Sequence, residues 1–294
     1  QALYREDVLP AFMQKEEEQR DRTAAAAKGA NYEPDMQKER KQKLSLDFKG
    51  LERPRAIADF KAVWHFPPKR QWWTGTCWCF STTSFLESEL KRTQGREIKL
   101  SEMFTVYWDY VEKVREFVRT KGASIVEEGG ESGDVLACWT KYGIVPAAAY
   151  TGLKGGETVF NHALLVEELH SYLDHVKKTK SWDEAQVVAS VRLILDKHLG
   201  APPAKITVEG REQTPLDFYR NVVKLQPEDY VEIMSFQYAP FWTQDEYRVA
   251  DNWAHTKNYW NVPLEDWYGA LRGALAAGYG AALGGDVSEP GYDG

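Results

Sequence analysis

Cysteine is scarce in this chain: Cys77, Cys79 and Cys138 are the only thiols among 294 residues. Three cannot build a disulfide framework, and Cys77 and Cys79 stand too close together to bridge one another. No cysteine–histidine spacing of a metal site occurs, so the sequence calls for no metal and no cofactor. Also missing is any apolar run of about 20 residues, which excludes a helix that spans a bilayer. Positive charge is in short supply: Lys+Arg is 37 against Asp+Glu 44, a net charge of −7 with a pI near 5.5. Such a chain lacks the basic footprint of a nucleic-acid binder. Neither an initiator Met nor a signal peptide is present, since the sequence opens on Gln1. Something upstream is therefore expected to be removed or to lie outside the sequence. Export followed by cleavage slightly favours a periplasmic or secreted location over the cytoplasm.

What the chain does have is hydrophobic residues at 43% and aromatics at 13%, including 11 Trp, enough large rigid surface for a core and a cleft. Residues 1–60 are polar, with charge runs such as Lys15 to Glu18, and read as a solvated arm. From Trp64 the character changes. Ser81 to Arg92 has helical spacing, and Ser101 is the N-cap of a second helix in which Phe104, Tyr107, Trp108, Val111 and Val114 recur every three or four residues. Further helices are expected over 134–142, 163–178 and 185–199. Lys205 to Glu209 and Tyr230 to Phe236 read as strands. Helices first and strands later give an α+β fold. It comprises a helical lobe over 61–204 and the start of a β-rich lobe over 205–294.

The chemistry concentrates at Cys77. A thiol attacks a carbonyl as the thiolate, and a helix N-terminus favours that negative charge. Cys77 stands where a loop becomes a helix, directly after Gly75-Thr76. A developing oxyanion needs donors already in place. The Cys77 backbone N–H is one, and the Gln71 amide, six residues earlier, is a second. Trp78 supplies apolar surface beside the thiol, while Cys79 and Cys138 read as core residues.

The string Gln71-x-x-x-Gly75-x-Cys77-Trp78-x-Phe80-Ser81 resembles the active-site segment of papain-like cysteine peptidases. Thr74 stands where papain and the cathepsins carry a disulfide-forming cysteine, and that absence is similar to the bleomycin hydrolase and aminopeptidase C branch. Leu100-Ser101-Glu102, Tyr107 to Lys113, Tyr142 to Pro146, Leu199 to Pro203, Thr214 to Tyr219, Asn261-Val262-Pro263 and Gly284 to Val287 continue the resemblance in order. It implies a papain-like two-lobe fold with a central helix that starts at the nucleophile. It also implies Cys77 as nucleophile, Gln71 as oxyanion-hole amide, and Gly129 and Gly130 as a backbone edge for a peptide substrate. Exopeptidase behaviour at peptide N-termini and homo-oligomeric assembly are implied by the resemblance alone.

A cysteine peptidase also needs a histidine base and a side chain to orient it. In papain-type chains these follow the nucleophile by roughly 130–150 residues, and no histidine falls in that window. His162 lies only 85 positions past Cys77; Asn161-His162-Ala163 imitates the papain histidine strand but reads as a surface or cap residue. His170, His175 and His198 fall on polar helix faces, and His65 and His255 have no stated role. The branch's His and Asn are expected beyond the end of this chain, in following polypeptide or in a second chain. The alternative is a catalytically incompetent papain-like module that binds peptides or partners.

Overall fold

The computed structural model describes residues 49–285 except Arg53. Most of the polar arm and the Asp286-Val287 end of the resemblance lie outside the described residues. Within residues 49–60, a 3-10 turn (Ile57–Asp59) is closed by the Asp59 carboxylate, which accepts the Arg55 and Ala56 N–H groups. Lys61–Gly284 forms one compact unit.

Five helices between residues 77 and 199 build its helical part. α1 (Cys77–Gln94) ends at Gly95, which takes the left-handed conformation that caps a helix cheaply. α2 (Glu102–Arg119) starts at Ser101, whose side chain accepts the Phe104 N–H, as the sequence leads one to expect. α3 (Ser132–Tyr142) opens on a reciprocal capping box between Glu131 and Asp134. It closes at Gly143, whose φ of +79° and close approach to the Pro215 backbone leave no room for a Cβ. α4 (Ala163–Thr179) and α5 (Glu184–Leu199) follow as an antiparallel pair. α2 is the hub and packs against α1, α3 and α5. Its Phe104, Tyr107, Val111, Val114 and Val118 are all buried, the stripe expected of a core helix.

After residue 205 the regular pieces are short. β1 (Ile206–Val208) and β2 (Arg211–Gln213) form a hairpin whose turn residues, Glu209 and Gly210, both have positive φ. α6 (Pro215–Phe218) runs into a π-helical turn (Tyr219–Val223). β3 (Ile233–Met234) pairs parallel with β5 (Tyr259–Asn261), which pairs antiparallel with β4 (Thr243–Asp245). The strand read over 230–236 shortens to two residues because Pro227–Asp229 is a 3-10 turn and Phe236 is drawn into a loop. That loop is held by buried Asn261, which accepts the Phe236 N–H and donates to the Phe236 and Ala239 carbonyls. α7 (Leu264–Ala276), which the small-residue tail hides from a periodicity argument, buries none of its residues. The architecture is α+β.

No described helix is long and apolar enough to cross a membrane. Among the described residues no group of His, Cys, Asp and Glu is arranged to hold a metal.

Candidate active site

The loop that leads into α1 is tied by its own side chains. The Gln71 amide donates to the Thr74 carbonyl at 2.8 Å, and the Thr74 hydroxyl donates back to the Gln71 carbonyl at 3.0 Å. Thr74 and Thr76, both buried, share a 2.6 Å hydroxyl contact. Trp72 sits at a φ of +55°, a strained region for an aromatic residue. Its neighbour Trp73 is stitched to a second segment: Trp73 N–H donates to the Phe160 carbonyl, and His162 N–H donates to the Trp73 carbonyl.

Cys77 is the exposed first residue of α1, and Gln71 and Cys77 open onto one pocket of about 280 Å³. A thiolate there meets the positive end of an 18-residue helix. The other two thiols are in a different situation. Cys79 is fully buried, its sulfur donates to the Glu102 carbonyl, and burial together with the Glu102 charge pushes its pKa far up. Burial also pushes Cys138 well above the ordinary thiol range.

Trp78, Gly129 and Gly130 do not line that pocket. Trp78 is 7% exposed, its indole N–H donates to the Glu128 carbonyl at 2.9 Å, and its ring fills the space next to Gly130, where a Cβ would stand 2.9 Å from a ring atom. The carboxylate of exposed Asp251 lies against Gly129, where a Cβ would displace it. Beneath this segment Lys113 is fully buried. It pairs with Asp109 at 2.6 Å and donates to the Glu127 carbonyl at 2.9 Å and to the Gly129 carbonyl. The glycine pair is therefore clamped between an indole and a buried ammonium.

Glu128 links the two halves. Its side chain packs on Gly75, where a Cβ would stand 2.8 Å from the Glu128 Cβ, and its carboxylate meets His162 Nδ1 at 2.8 Å. His162 is the N-cap residue of α4 but lies buried, not on the surface as its sequence context suggests. None of the six histidines lines the pocket that holds Cys77.

Sequence reasoning missed Lys113, Glu128 and the charges beside the pocket. One signal was present: Asp109 and Lys113 stand four residues apart within an otherwise apolar helix stripe, the spacing of an intrahelical ion pair. Lys69 bonds Glu102 at 2.6 Å, and Lys99 bonds Glu102 at 2.8 Å and Glu87 at 3.0 Å. Burial alone would raise the Glu102 carboxyl, but the Lys99 and Lys69 ammoniums hold it below the ordinary range. Glu87, where burial prevails over Lys99, is pushed up to about 7.

Residues 62–290 match the peptidase C1-like family. An aminopeptidase C from Listeria monocytogenes is 26% identical over 55% of this chain and 44% of its own length. One from Streptococcus thermophilus is 23% identical over 74% of this chain and 58% of its own. The chain thus spans about half the length of the curated relatives it matches. The crystal structure of PepW from Lactobacillus rhamnosis superposes with a TM-score of 0.57 at 18% identity, covering 95% of this chain and 70% of that one; it shows the shared fold.

Proposed function

The chain belongs to the peptidase C1-like family, and from that premise we propose that it is part of a cysteine peptidase of the aminopeptidase C type, with Cys77 as nucleophile. The observation that carries this reading is the exposed Cys77 at the first position of α1, sharing one pocket with Gln71. In the proposed reaction the Cys77 thiolate attacks the scissile carbonyl of a peptide. The Cys77 N–H and a Gln71 amide N–H hold the resulting oxyanion. A primary amide has two N–H bonds and only one is spent on Thr74, so Gln71 retains a donor. The leaving amine takes a proton from a histidine, the acyl-enzyme is hydrolysed by water, and the thiolate returns. That histidine is assigned to polypeptide outside these 294 residues, in the same or a second chain. Exopeptidase action at the N-terminus of the substrate, assembly of several copies, and a periplasmic or secreted location are proposals of the same standing. Gly129 is assigned as the backbone edge for the peptide, with Gly130 and the buried Trp78 ring supporting it from behind rather than touching the substrate.

An epoxide of the E-64 type tests the nucleophile. Cys77 is expected to be modified stoichiometrically and faster than free cysteine at the same pH, with Cys79 and Cys138 untouched. Replacement Gln71→Ala slows the reaction. A rate at Cys77 no greater than that of free cysteine overturns the peptidase reading in favour of a binding module.

A further inference from the structure

The pocket that holds Cys77 has a charged wall that the proposed reaction does not use. Phe66, Pro67, Pro68 and Phe80 form its apolar side, and Lys69, Lys99 and Glu102 its polar side. The charges are layered. The lysine side chains are 35% and 30% exposed, whereas their carboxylate partners Glu102 and Glu87 are 1% and 0% exposed. The ammoniums therefore stand at the front and the carboxylates behind them, so a group entering the pocket meets positive charge first. Both Glu102 oxygens are spent on the two lysines, one each, and both Glu87 oxygens accept from Lys99, so Lys99 has no donor left while Lys69 keeps two; Glu87 also accepts the Leu100 N–H. With Glu87 pushed up to about 7, the negative layer is incompletely charged near neutral pH and the lysines are in excess. Lys69 is held in place from both sides, 5.5 Å from the Phe80 ring and 5.3 Å from the Phe160 ring. It also lines a second pocket of about 400 Å³, together with Arg70 and Trp72, so the basic surface continues past the first pocket.

We propose that this pocket is a carboxylate subsite beside the nucleophile, in which Lys69, two of whose three N–H donors are left over by Glu102, holds an anionic group of the substrate, Lys99 adds its charge, and Phe66 and Phe80 cover the apolar part. The anionic group is either the terminal carboxylate of a short peptide or an acidic side chain. The subsite deepens the peptidase reading by naming a substrate class, and it rests on that reading.

The test uses the full chain and needs no turnover. Cys77 is alkylated with iodoacetate and with iodoacetamide, and the ratio of the two rates is compared with that of free cysteine at the same pH and low salt. A cationic pocket raises the ratio at Cys77 about threefold or more. Lys69→Gln brings it down towards the free-cysteine value, Lys69→Arg retains it, and molar salt abolishes it. Lys205→Gln, which removes a surface lysine paired with Glu212 and absent from both pockets, leaves the ratio unchanged. In the second arm, millimolar Ala-Ala, its C-terminal amide and Ala-Glu amide are compared for protection of Cys77 against iodoacetamide. Protection by Ala-Ala alone identifies the terminal carboxylate, and protection by Ala-Glu amide identifies the side chain. A ratio equal to that of free cysteine, one that survives Lys69→Gln, or equal protection by all three peptides overturns the subsite. None of these outcomes depends on the epoxide result, so the subsite and the peptidase reading fail separately.

Discussion

Replacing Lys113 by Met tests whether the buried ion pair holds the glycine segment. Lys113 and Asp109 are both essentially inaccessible, 2.6 Å apart, and the ammonium also serves the Glu127 and Gly129 carbonyls. Methionine keeps most of the volume and removes the charge. Removing one partner of a buried pair costs about 3–5 kcal/mol, because the other is left as an unpaired charge. The Glu127 carbonyl belongs to an exposed residue and regains water, whereas the half-buried Gly129 carbonyl adds about 1 kcal/mol. We expect a loss of about 4–6 kcal/mol near pH 8. Burial already holds the Asp109 carboxyl above its ordinary range, and Lys113 is the main influence pulling it down. In Lys113→Met that carboxyl takes up a proton more readily, so the loss shrinks towards pH 5. Asp109→Leu combined with Lys113→Met removes both charges and is expected to cost only about 1–2 kcal/mol, mostly for the orphaned carbonyls. Urea unfolding followed by tryptophan fluorescence measures all three. A single variant within 1 kcal/mol of the parent, or a double variant as unstable as the single, refutes the reasoning.

Two further outcomes are expected. Gly130→Ala drives a methyl group into the Trp78 ring, where a Cβ would stand 2.9 Å from its nearest atom, at a cost of about 1–3 kcal/mol; a melting temperature equal to that of the parent would show that the indole has room to move. Burial and the nearby Asp109 charge push the Asp134 carboxyl up to about 7, from an ordinary value near 3.8. Between those limits the folded chain holds a proton that the unfolded chain has lost, so stability falls as pH rises from about 4 to 7 and then levels off, by up to a few kcal/mol. Glu102, held below its ordinary range, gives the opposite slope only below about pH 4.5. Glu87 and Glu131, both also pushed up to about 7 by burial, add to the same fall. Asp134→Asn keeps an acceptor for the Glu131 N–H and makes the fall shallower than in the parent without abolishing it. A urea midpoint that rises between pH 5 and pH 7 in the parent counts against this assignment.

Local order was written in the sequence wherever one residue type decides the backbone. Ser101 caps α2, Gly95 and Gly143 end α1 and α3, and the Phe104 to Val118 stripe marks the core face of α2, because caps and periodicity depend on neighbours within one helical turn. Cys77 at the start of a helix, six residues after Gln71, belongs to the same class: a short segment brings both to one pocket, so spacing suffices. His162 shows where such reading ends. Read from the chain it is a surface or cap residue; it does cap α4, yet it is buried because Glu128, 34 positions away, folds against it and against Gly75. Trp78 has the same history, since its burial depends on Gly130 and on Lys113 from another helix. The layering of Lys69 and Lys99 in front of Glu102 and Glu87 was likewise out of reach of any motif. Whether a charge faces a cleft or lies behind its partner is set by the packing of α1 against α2, and desolvation acts on positions in space, not on positions in the chain.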